Sequence, residues 1–359
     1  MKDKVLSEIR EKLKEHDREL LRLLNARASL SEEIGKIKRS CGIEVYDPSQ
    51  ESRVLEYVRS LNEGPLADAA LVGIYREIFS ASRAMQEPIM VAFLGPEGSF
   101  SHLAVKNQFG GGVKLSPQET IAGVFDAVER GRASVGLVPI ENSLEGSVKA
   151  TLDRLIATPL KIRAEAFLRV SHCLVSSCAD LSKIEKVYSH PQGLAQCRQW
   201  LGLNLPGVPL FEAASTAAAA RIAAAEPGSA AIASRIAAEK FGIAVLASEI
   251  EDFALNTTRF LIIGSGKTIK SGRDKTSVLM GSAHIPGALH KALGPFAAEG
   301  LNLLRIESYP IRERNWEYLF FLDFEGHAGE KGPAECLRQM EQFTTFIKVL
   351  GSYPRGEEP

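Results

Sequence analysis

Residues 256–263 read Asn-Thr-Thr-Arg-Phe-Leu-Ile-Ile, so polar groups stand directly before an apolar run with the character of a buried strand. Two hydroxyls, from Thr257 and Thr258, and the permanent cation of Arg259 lie at the mouth of that strand. This combination suits the binding of an anionic small molecule to which a weak acid donates a proton. Two other segments carry small-anion chemistry in different settings, one basic and helical, one glycine-rich. The chain is therefore expected to perform several linked steps.

The composition is that of an ordinary globular protein with two or three domains. The chain has 359 residues and a net charge of −1, which gives no overall attraction to nucleic acid or to an anionic membrane. The N-terminus is charged rather than apolar, and no apolar run approaches the length of a membrane span. The five cysteines are scattered without a C-x-x-C pair, and His172, Cys173 and Cys178 lack a fourth ligand nearby. We expect a cytoplasmic protein with reduced thiols and no metal.

Residues 1–87 are predicted to be helical throughout. Apolar residues from Val5 to Ile37 follow helical spacing, and no proline occurs before Pro48. A helix over about residues 3–39 would be roughly 55 Å long. Two shorter helices, near 48–61 and 66–86, cannot cover its whole length. We therefore expect a second chain to cover the rest, giving an intertwined dimer; a plain dimerisation bundle is the alternative.

Residues 89–265 change to an α/β pattern after Pro88. Apolar runs at 91–95, 135–142, 186–190, 230–234 and 259–264 alternate with helical patterns. The length fits one domain of two lobes with a cleft between them.

Residues 275–352 show a third pattern, with the order βαββαβ of an α+β, ferredoxin-like sandwich. The glycine- and lysine-rich stretch 264–273 is interpreted as a linker. The tail at 355–359 is expected to be frayed.

The first candidate site is a set of cations on the long helix. Arg27 and Lys38 are eleven residues apart, about three turns, so they share one face roughly 16 Å apart. Two long side chains at this separation leave room for a small dicarboxylate. Arg10 lies roughly 25 Å from Arg27 along the axis and joins such a site only from an antiparallel partner. A solvated charged face is the alternative that spacing alone favours.

This segment resembles the AroQ-type chorismate mutases at the N-terminus of bifunctional chorismate mutase/prephenate dehydratases. The match comprises Arg10-Glu11-Lys12, Asp17, Arg27, Gly35-Lys36-Ile37-Lys38, Asp47, Glu51, Ser82 and Gln86. The resemblance implies a pericyclic rearrangement of chorismate to prephenate without a nucleophile, metal or cofactor. By the same resemblance, Arg27 and the partner subunit's Arg10 clamp the two carboxylates, and Lys38 and Gln86 reach the ether oxygen. Glu51 and the Asp47 backbone take the ring hydroxyl.

Ser82 completes the implied binding set, and one position departs from the family pattern. Gln50 stands where the family usually has arginine, so weaker mutase activity is an open alternative.

The second candidate site is the cleft of the α/β domain. Four polar segments, GPEGSFS at 95–101, PIENSLEGS at 139–147, SHPQGLAQC at 189–197 and AAST at 213–216, follow predicted strands or open helices. Each alone is more typical of capping and turn chemistry. Together they place polar groups at the carboxyl ends of several strands, where α/β clefts bind ligands.

In this order, and with NTTRF after them, these motifs resemble prephenate dehydratase, a family with two lobes like those of periplasmic binding proteins. The resemblance implies conversion of prephenate to phenylpyruvate, carbon dioxide and water, with Thr258 as the acid. Arg259 either stabilises charge at the acid or binds a substrate carboxylate. The other implied binding residues are Asn142, Ser189, Gln196, Ser99, Ser215 and Thr216.

The C-terminal segment resembles an ACT domain. In dehydratases its two motifs, here Gly287-Ala288-Leu289-His290 and Glu307-Ser308-Tyr309-Pro310, form an L-phenylalanine site at a domain interface. Tyr309 replaces the usual arginine, so altered affinity is possible, and a purely structural ACT domain is the alternative.

The whole pattern therefore predicts a homodimeric or larger bifunctional enzyme that is feedback-inhibited by L-phenylalanine. The nearest alternative is a monofunctional prephenate dehydratase with a non-catalytic helical dimerisation domain. A more distant one is a non-catalytic amino-acid-binding regulator.

Overall fold

The computed structural model of the chain describes residues 2–253, 255–283, 285–310 and 318–358. Its N-terminal part is helical, as predicted, with α1 at Lys2–Ser40, α2 at Pro48–Ser60 and α3 at Asp68–Gln86. The carboxylate of Asp47 caps α2 by accepting a hydrogen bond of 3.0 Å from the backbone amide of Gln50. Pro48 occupies the first turn, where no backbone donor is needed.

Helix α1 packs against α3 only through its C-terminal half. Gly35 permits this close approach, because a Cβ atom there would lie 2.7 Å from Cγ of Gln86. Ser31 and Gly35 are the buried residues of α1. Its apolar stripe is exposed in the single chain: Val5, Leu6, Ile9, Leu13, Leu20, Leu21, Leu23, Leu30, Ile34 and Ile37.

The central domain has two lobes, each built on one sheet. The first sheet contains β1 (Met90–Leu94), β2 (Lys114–Gln118), β3 (Val135–Asn142), β4 (Gly146–Ser147), β5 (Lys161–Arg169) and β11 (Thr257–Gly264). Its order is β2-β1-β3-β11-β5, with β4 paired to β3. Helices α4 (Phe100–Phe109), α5 (Ile121–Glu129) and α6 (Lys149–Ala157) cover it.

The second lobe is inserted between β5 and β11. Its strands are β6 (Cys173–Ser176), β7 (Lys186–Ser189), β8 (Leu210–Glu212), β9 (Ser229–Ala233) and β10 (Ala244–Ser248), in the order β10-β6-β9-β7-β8. Its helices are α7 (Pro191–Gln196), α8 (Arg198–Asn204), α9 (Thr216–Ala225) and α10 (Arg235–Phe241), with a short 3₁₀ turn at Leu181–Lys183. The chain then returns as β11, antiparallel to both β3 and β5. The start of β11 therefore lies at the junction of the lobes, and the predicted two-lobed architecture is confirmed.

The C-terminal domain has the predicted βαββαβ order. It comprises β12 (Asp274–Gly281), α11 (Ala288–Ala298), β13 (Leu303–Pro310), β14 (Tyr318–Glu325), α12 (Lys331–Met340) and β15 (Phe346–Pro354), with the sheet order β13-β14-β12-β15. Both helices pack on one face, around Phe296, Phe324 and Met340. On the other face, Leu350 and Phe321 share a core with Leu152 of the central domain.

The C-terminal tail is docked, so the prediction of a frayed tail was wrong for residues 355–357. The guanidinium of Arg355 donates to Glu325 over 2.8 Å, and the Gly356 amide donates to Glu165 over 2.9 Å. Glu357 accepts a hydrogen bond of 2.8 Å from Arg59 in α2. These contacts anchor the tail to all three domains, which the short polar sequence did not indicate.

The junction between β15 and β5 should not tolerate a side chain at Gly351. A Cβ atom there would lie 2.2 Å from the Ile162 carbonyl oxygen. We expect Gly351→Ala to destabilise the protein by about 1–3 kcal/mol, because the two backbones must separate. Gly294→Ala in α11 is the control, since nothing lies within 4 Å of its Cβ position. Calorimetric unfolding midpoints measure both; equal midpoints for the two variants would contradict this packing.

Candidate functional site

Thr258 and Asn142, two predicted site residues, meet where β11 pairs with β3. They are cross-strand neighbours, and the Asn142 side-chain amide donates to the Thr258 hydroxyl oxygen over 2.9 Å. The same amide nitrogen donates to the side-chain oxygen of Asn256 over 2.7 Å. The amide oxygen of Asn142 accepts from the backbone amides of Leu144 and Glu145, which fixes its orientation. A donor aimed at the Thr258 oxygen stabilises negative charge there when the hydroxyl gives up its proton.

Asn256 and His172 extend this hydrogen-bonded chain across the junction of the lobes. Asn256 is almost fully buried and donates to Gln196 at the end of α7 over 3.1 Å. The same Gln196 oxygen lies 2.8 Å from Nε2 of His172. Since that oxygen only accepts, Nε2 carries the hydrogen. A continuous series of hydrogen bonds thus connects the first lobe to the second, through Thr258, Asn142, Asn256, Gln196 and His172.

His172 is held neutral by its surroundings. Burial is the main reason that the pKa of His172 is lowered; the hydrogen bond to Gln196 opposes it. Its Nδ1 atom is buried and has no hydrogen-bond partner among the described residues. The ring lies edge-on to Phe100 in α4, with centroids 5.3 Å apart. Protonation of Nδ1 would therefore place a hydrogen-bond donor without a partner in an apolar environment.

The other predicted cleft hydroxyls are engaged in local structure. Ser99 caps α4 and Ser215 caps α9, accepting from the third amide along each helix at 3.3 and 3.0 Å. Ser189 is fully buried and donates to the Ile232 carbonyl over 2.8 Å. Thr216 is buried in the first turn of α9. These four are therefore not joined to the chain of bonds that ends at Thr258.

Two cavities lie at other places that the sequence analysis identified, one between the lobes and one at the start of α11. The larger, about 720 Å³, is lined by residues of both lobes, including Gly95, Ser215 and Arg221, but not by Thr258. The smaller, about 440 Å³, surrounds the start of α11, with Gly287, Ala288 and Leu289 in its lining.

Arg259 is turned away from the cleft. Successive side chains of a strand point to opposite faces, so Arg259 faces the C-terminal domain while Thr258 faces Asn142. Its guanidinium pairs with Glu165 at 2.8 Å and with Asp323 at 2.7 Å, and only 7% of the residue is exposed. Neither role predicted for Arg259, charge stabilisation at the acid or binding of a substrate carboxylate, is compatible with these contacts.

The helical domain brings most of its predicted residues together. Arg27 donates to the Ser82 hydroxyl over 2.8 Å, and Gln86 lies against Gly35. The side-chain oxygen of Gln86 is buried and has no hydrogen-bond partner in the described part of the chain. Lys38 donates to the Val45 carbonyl over 3.0 Å. Arg10 lies on the exposed N-terminal half of α1, away from this group.

Glu51 has a partner that the sequence did not suggest. It is ion-paired with Arg83 of α3, whose guanidinium also donates to the Phe109 carbonyl of the central domain over 2.7 Å. Burial raises the pKa of Glu51, and the charge of Arg83 opposes the rise. The carboxyl group is therefore oriented by the cation, while Asp47 is used as the cap of α2. Arg83 follows Ser82 directly and lies in no motif, so only the fold reveals its role.

Glu307 and Ser308 lie on β13, apart from the cavity around Gly287 in the single chain. Glu307 accepts from the Ser147 hydroxyl and pairs with Arg305. The lining of the cavity contains neither Glu307 nor Ser308. The hydroxyl of Tyr309 donates to Asp153 in α6, which gives the tyrosine at this position a structural role.

The described residues contain no group of side chains that could hold a metal ion. Among the described helices, none is long and apolar enough to cross a membrane.

Comparisons with known protein families find a match in each of the three parts of the chain. The family model for chorismate mutase type II matches residues 9–87, that for prephenate dehydratase residues 91–268, and that for the ACT domain residues 276–342. The bifunctional chorismate mutase/prephenate dehydratase of Aquifex aeolicus is 42% identical over 98% of both chains.

Two solved structures are similar to the central and C-terminal parts. The prephenate dehydratase of Arthrobacter aurescens in complex with L-Phe is 34% identical, with a TM-score of 0.68 over 74% of this chain and 90% of that chain. GqqA, described as a novel type of quorum-quenching acylase, is 33% identical, with a TM-score of 0.68 over 74% of this chain and 98% of that one.

Titration of His172 should make stability depend on pH. Its folded pKa is lowered, so the unfolded state binds a proton more readily, and folding loses stability as pH falls below the unfolded value of about 6.5. We expect the unfolding midpoint of the wild type to fall from pH 7 to pH 5 more steeply than that of His172→Gln. Midpoints at pH 8, where both side chains are neutral, are the control for lost packing. If the unfolding midpoints of the wild type and of His172→Gln fall equally with pH, His172 does not cause the pH dependence.

Proposed function

The chain belongs to the family of bifunctional chorismate mutase/prephenate dehydratases, and we propose that its two reactions occur at separate sites, one in residues 1–87 and one in residues 89–265. The enzyme rearranges chorismate to prephenate, then converts prephenate to phenylpyruvate, carbon dioxide and water, two steps of L-phenylalanine biosynthesis. Residues 275–352 are the proposed extent of its ACT regulatory domain. The observation that carries the second assignment is the hydrogen bond from Asn142 to Thr258 at the junction of the lobes.

At the dehydratase site, Thr258 is the proposed acid. The bond from the ring to the departing carboxylate breaks, and its electron pair forms a ring π bond. At the same time the adjoining ring π pair shifts towards the carbon that bears the hydroxyl and expels it; the oxygen keeps the electron pair of the broken bond, takes the Thr258 proton and leaves as water. Asn142 offsets the charge on the Thr258 oxygen by its N–H donor, until solvent returns the proton. Aromatisation makes the reaction strongly downhill, so a weak acid suffices.

Gln196 and Asn256 orient Asn142 in this scheme. Ser99, Ser189, Ser215 and Thr216 remain proposed binding residues through their positions at strand and helix ends, with Ser215 bordering the cavity of about 720 Å³.

At the mutase site, the proposed catalyst is a set of charges around a compact substrate. Arg27 and the partner subunit's Arg10 bind the two carboxylates, and Lys38 and Gln86 stabilise charge on the breaking ether oxygen. The side-chain N–H of Gln86 is the proposed donor to that oxygen, since an amide oxygen only accepts hydrogen bonds. Glu51, with the Asp47 backbone, takes the ring hydroxyl; Ser82 orients Arg27. Arg83 supplies a cation near Glu51 in a chain that has Gln50 at the family's arginine position.

A homodimer is proposed because α1 is incomplete alone. Its exposed apolar stripe spans most of a helix of about 58 Å, and exposure of a contiguous stripe of this kind marks an interaction surface. A second copy of α1, antiparallel to the first, would cover the stripe and bring its Arg10 towards Arg27.

The proposed compartment is the cytoplasm, where free thiols persist. The proposed effector is L-phenylalanine. In the first turn of α11 the Ala288 amide donates to the Ile285 carbonyl over 3.2 Å, so the Leu289 amide is the proposed donor to a carboxylate, in a cavity that an amino acid fits. Glu307 and Ser308 would join such a site from another domain or subunit.

Removal of the Thr258 hydroxyl should abolish the second reaction alone. We expect Thr258→Ala to lower kcat for prephenate by about 10²–10⁴-fold, the usual contribution of a general acid. Thr258→Ser, which keeps a hydroxyl, should retain more activity, and chorismate consumption should match the wild type in both variants. Near-normal prephenate turnover by Thr258→Ala would refute the assignment of the acid. Chorismate loss no faster than in buffer would favour the monofunctional alternative.

Shared mutase sites should allow complementation between inactive chains. Arg10→Ala and Arg27→Ala homodimers should each lose chorismate turnover, since every site lacks one cation. In co-expressed mixtures, a heterodimer has one intact site, so about a quarter of wild-type activity should return by random pairing. Prephenate turnover is the control for protein amount. If the mixture stays as inactive as its components, the two arginines do not act across subunits.

A further inference from the structure

Arg259 lies beside the proposed acid but belongs to the interface with the ACT domain. Its Nε donates to Glu165 of β5 over 2.8 Å. One terminal nitrogen donates to Asp323 of β14 over 2.7 Å, and the other donates to the Tyr353 hydroxyl of β15 over 3.1 Å. Two of the three groups that hold the guanidinium therefore come from the ACT domain.

The surrounding network is closed and electrically balanced. Glu165 also pairs with Lys275 of β12 at 2.8 Å, so two cations face two anions, Glu165 and Asp323. The pKa of Asp323 is lowered: burial raises it, but the charge of Arg259, the hydrogen bond from Ser277 and the charge of Lys275 together outweigh burial. Both partners thus stay charged at neutral pH. Breaking such a pair leaves an uncompensated buried charge, so the guanidinium follows the groups that bind it.

The pairing of β11 with β3 is irregular at this point. The register shifts between Arg259, which lies opposite Glu141, and Phe260, which lies opposite Pro139, so Ile140 of β3 is the extra residue. A bulge of this kind re-aims the side chains beside it. Arg259 is the last residue before this shift, and Thr258, the residue before it, carries the hydroxyl that must meet the Asn142 amide. Because Thr258 and Arg259 share a peptide bond, a displacement of Arg259 would move the backbone that carries the Thr258 hydroxyl.

We propose that Arg259 is a positioning residue through which the ACT domain controls the alignment of Thr258 with Asn142. The inference rests on the proposed role of Thr258 as the acid. An ACT domain shifted relative to β11 would carry Asp323 and Tyr353 with it, moving Arg259 and the adjoining backbone. Turnover of bound prephenate is lowered, while substrate affinity is unchanged, because Arg259 makes no contact in the cleft.

A merely structural ion pair gives a different result. It would lower the unfolding midpoint, and the fraction of protein that remains folded would have normal kcat and a normal response to L-phenylalanine. The separation of kcat from KM, measured on folded protein, is therefore the informative readout.

The test uses Asp323→Asn, which keeps the side-chain volume and removes the charge. Its matched control is Asp153→Asn, which perturbs the contact of the ACT domain with α6 instead of β11. Tyr353→Phe is a milder second variant that removes one acceptor from Arg259. For each full-length variant, kcat and KM for prephenate are measured with and without L-phenylalanine, and chorismate turnover reports the folded enzyme.

Asp323→Asn is expected to lower kcat on the order of 10- to 100-fold with little change in KM, the cost of a small misplacement of a catalytic group. Tyr353→Phe should show a smaller loss of the same kind, and L-phenylalanine should inhibit both variants less than Asp153→Asn. Equal kcat and equal inhibition for Asp323→Asn and Asp153→Asn would overturn the inference. Thr258→Ala is measured in parallel. If it retains prephenate turnover, the assignment of Thr258 as the acid is wrong. If it is inactive, that assignment stands, whatever the result for the Asp323 and Tyr353 variants.

Discussion

The alternation of side chains along β11 is the constraint on which the organisation of this enzyme depends. A strand presents neighbouring residues to opposite faces, so Thr258 and Arg259 point to different domains although they share a peptide bond. Asn142 meets the first over 2.9 Å, and Asp323 meets the second over 2.7 Å. Since β11 also closes the first sheet after the second lobe has been built, one short segment joins both lobes and the regulatory domain.

Glu165 and the C-terminal tail extend this connection to the helical domain. The Glu165 carboxylate accepts from Arg259, Lys275 and the Gly356 amide, which come from β11, the ACT sheet and the tail. The next residue, Glu357, pairs with Arg59 of α2. Apart from Arg259, which lies in the NTTRF motif, the charged groups that join the domains belong to none of the motifs. The two reactions need different environments: the proposed mutase site would surround its substrate with cations, whereas the proposed dehydratase site would strengthen one weak acid with amides.

The sequence predicted what local patterns determine. Helix α1 and strand β3 have nearly the predicted bounds, because no breaker interrupts the first and a continuous apolar run defines the second. Strand β2 was missed, since it is half-exposed and contains Pro117; β5 was missed because it carries Arg163 and Glu165 in its interior. Those charges are stabilised by Glu44 and Arg259, partners far away in sequence. For the same reason, Thr258 and Asn142 could be predicted from motifs, whereas the orientation of Arg259 and the involvement of His172 required the fold.

The central claim is that Thr258 serves the substrate while Arg259 serves the domain interface. A crystal structure of the enzyme with a stable prephenate analogue tests it most directly. We expect the analogue between the lobes, with its hydroxyl within about 3 Å of the Thr258 oxygen and Asn142 still donating to that oxygen. Arg259 should remain paired with Glu165 and Asp323. A guanidinium of Arg259 swung into the cleft and bound to a carboxylate of the analogue would contradict the account.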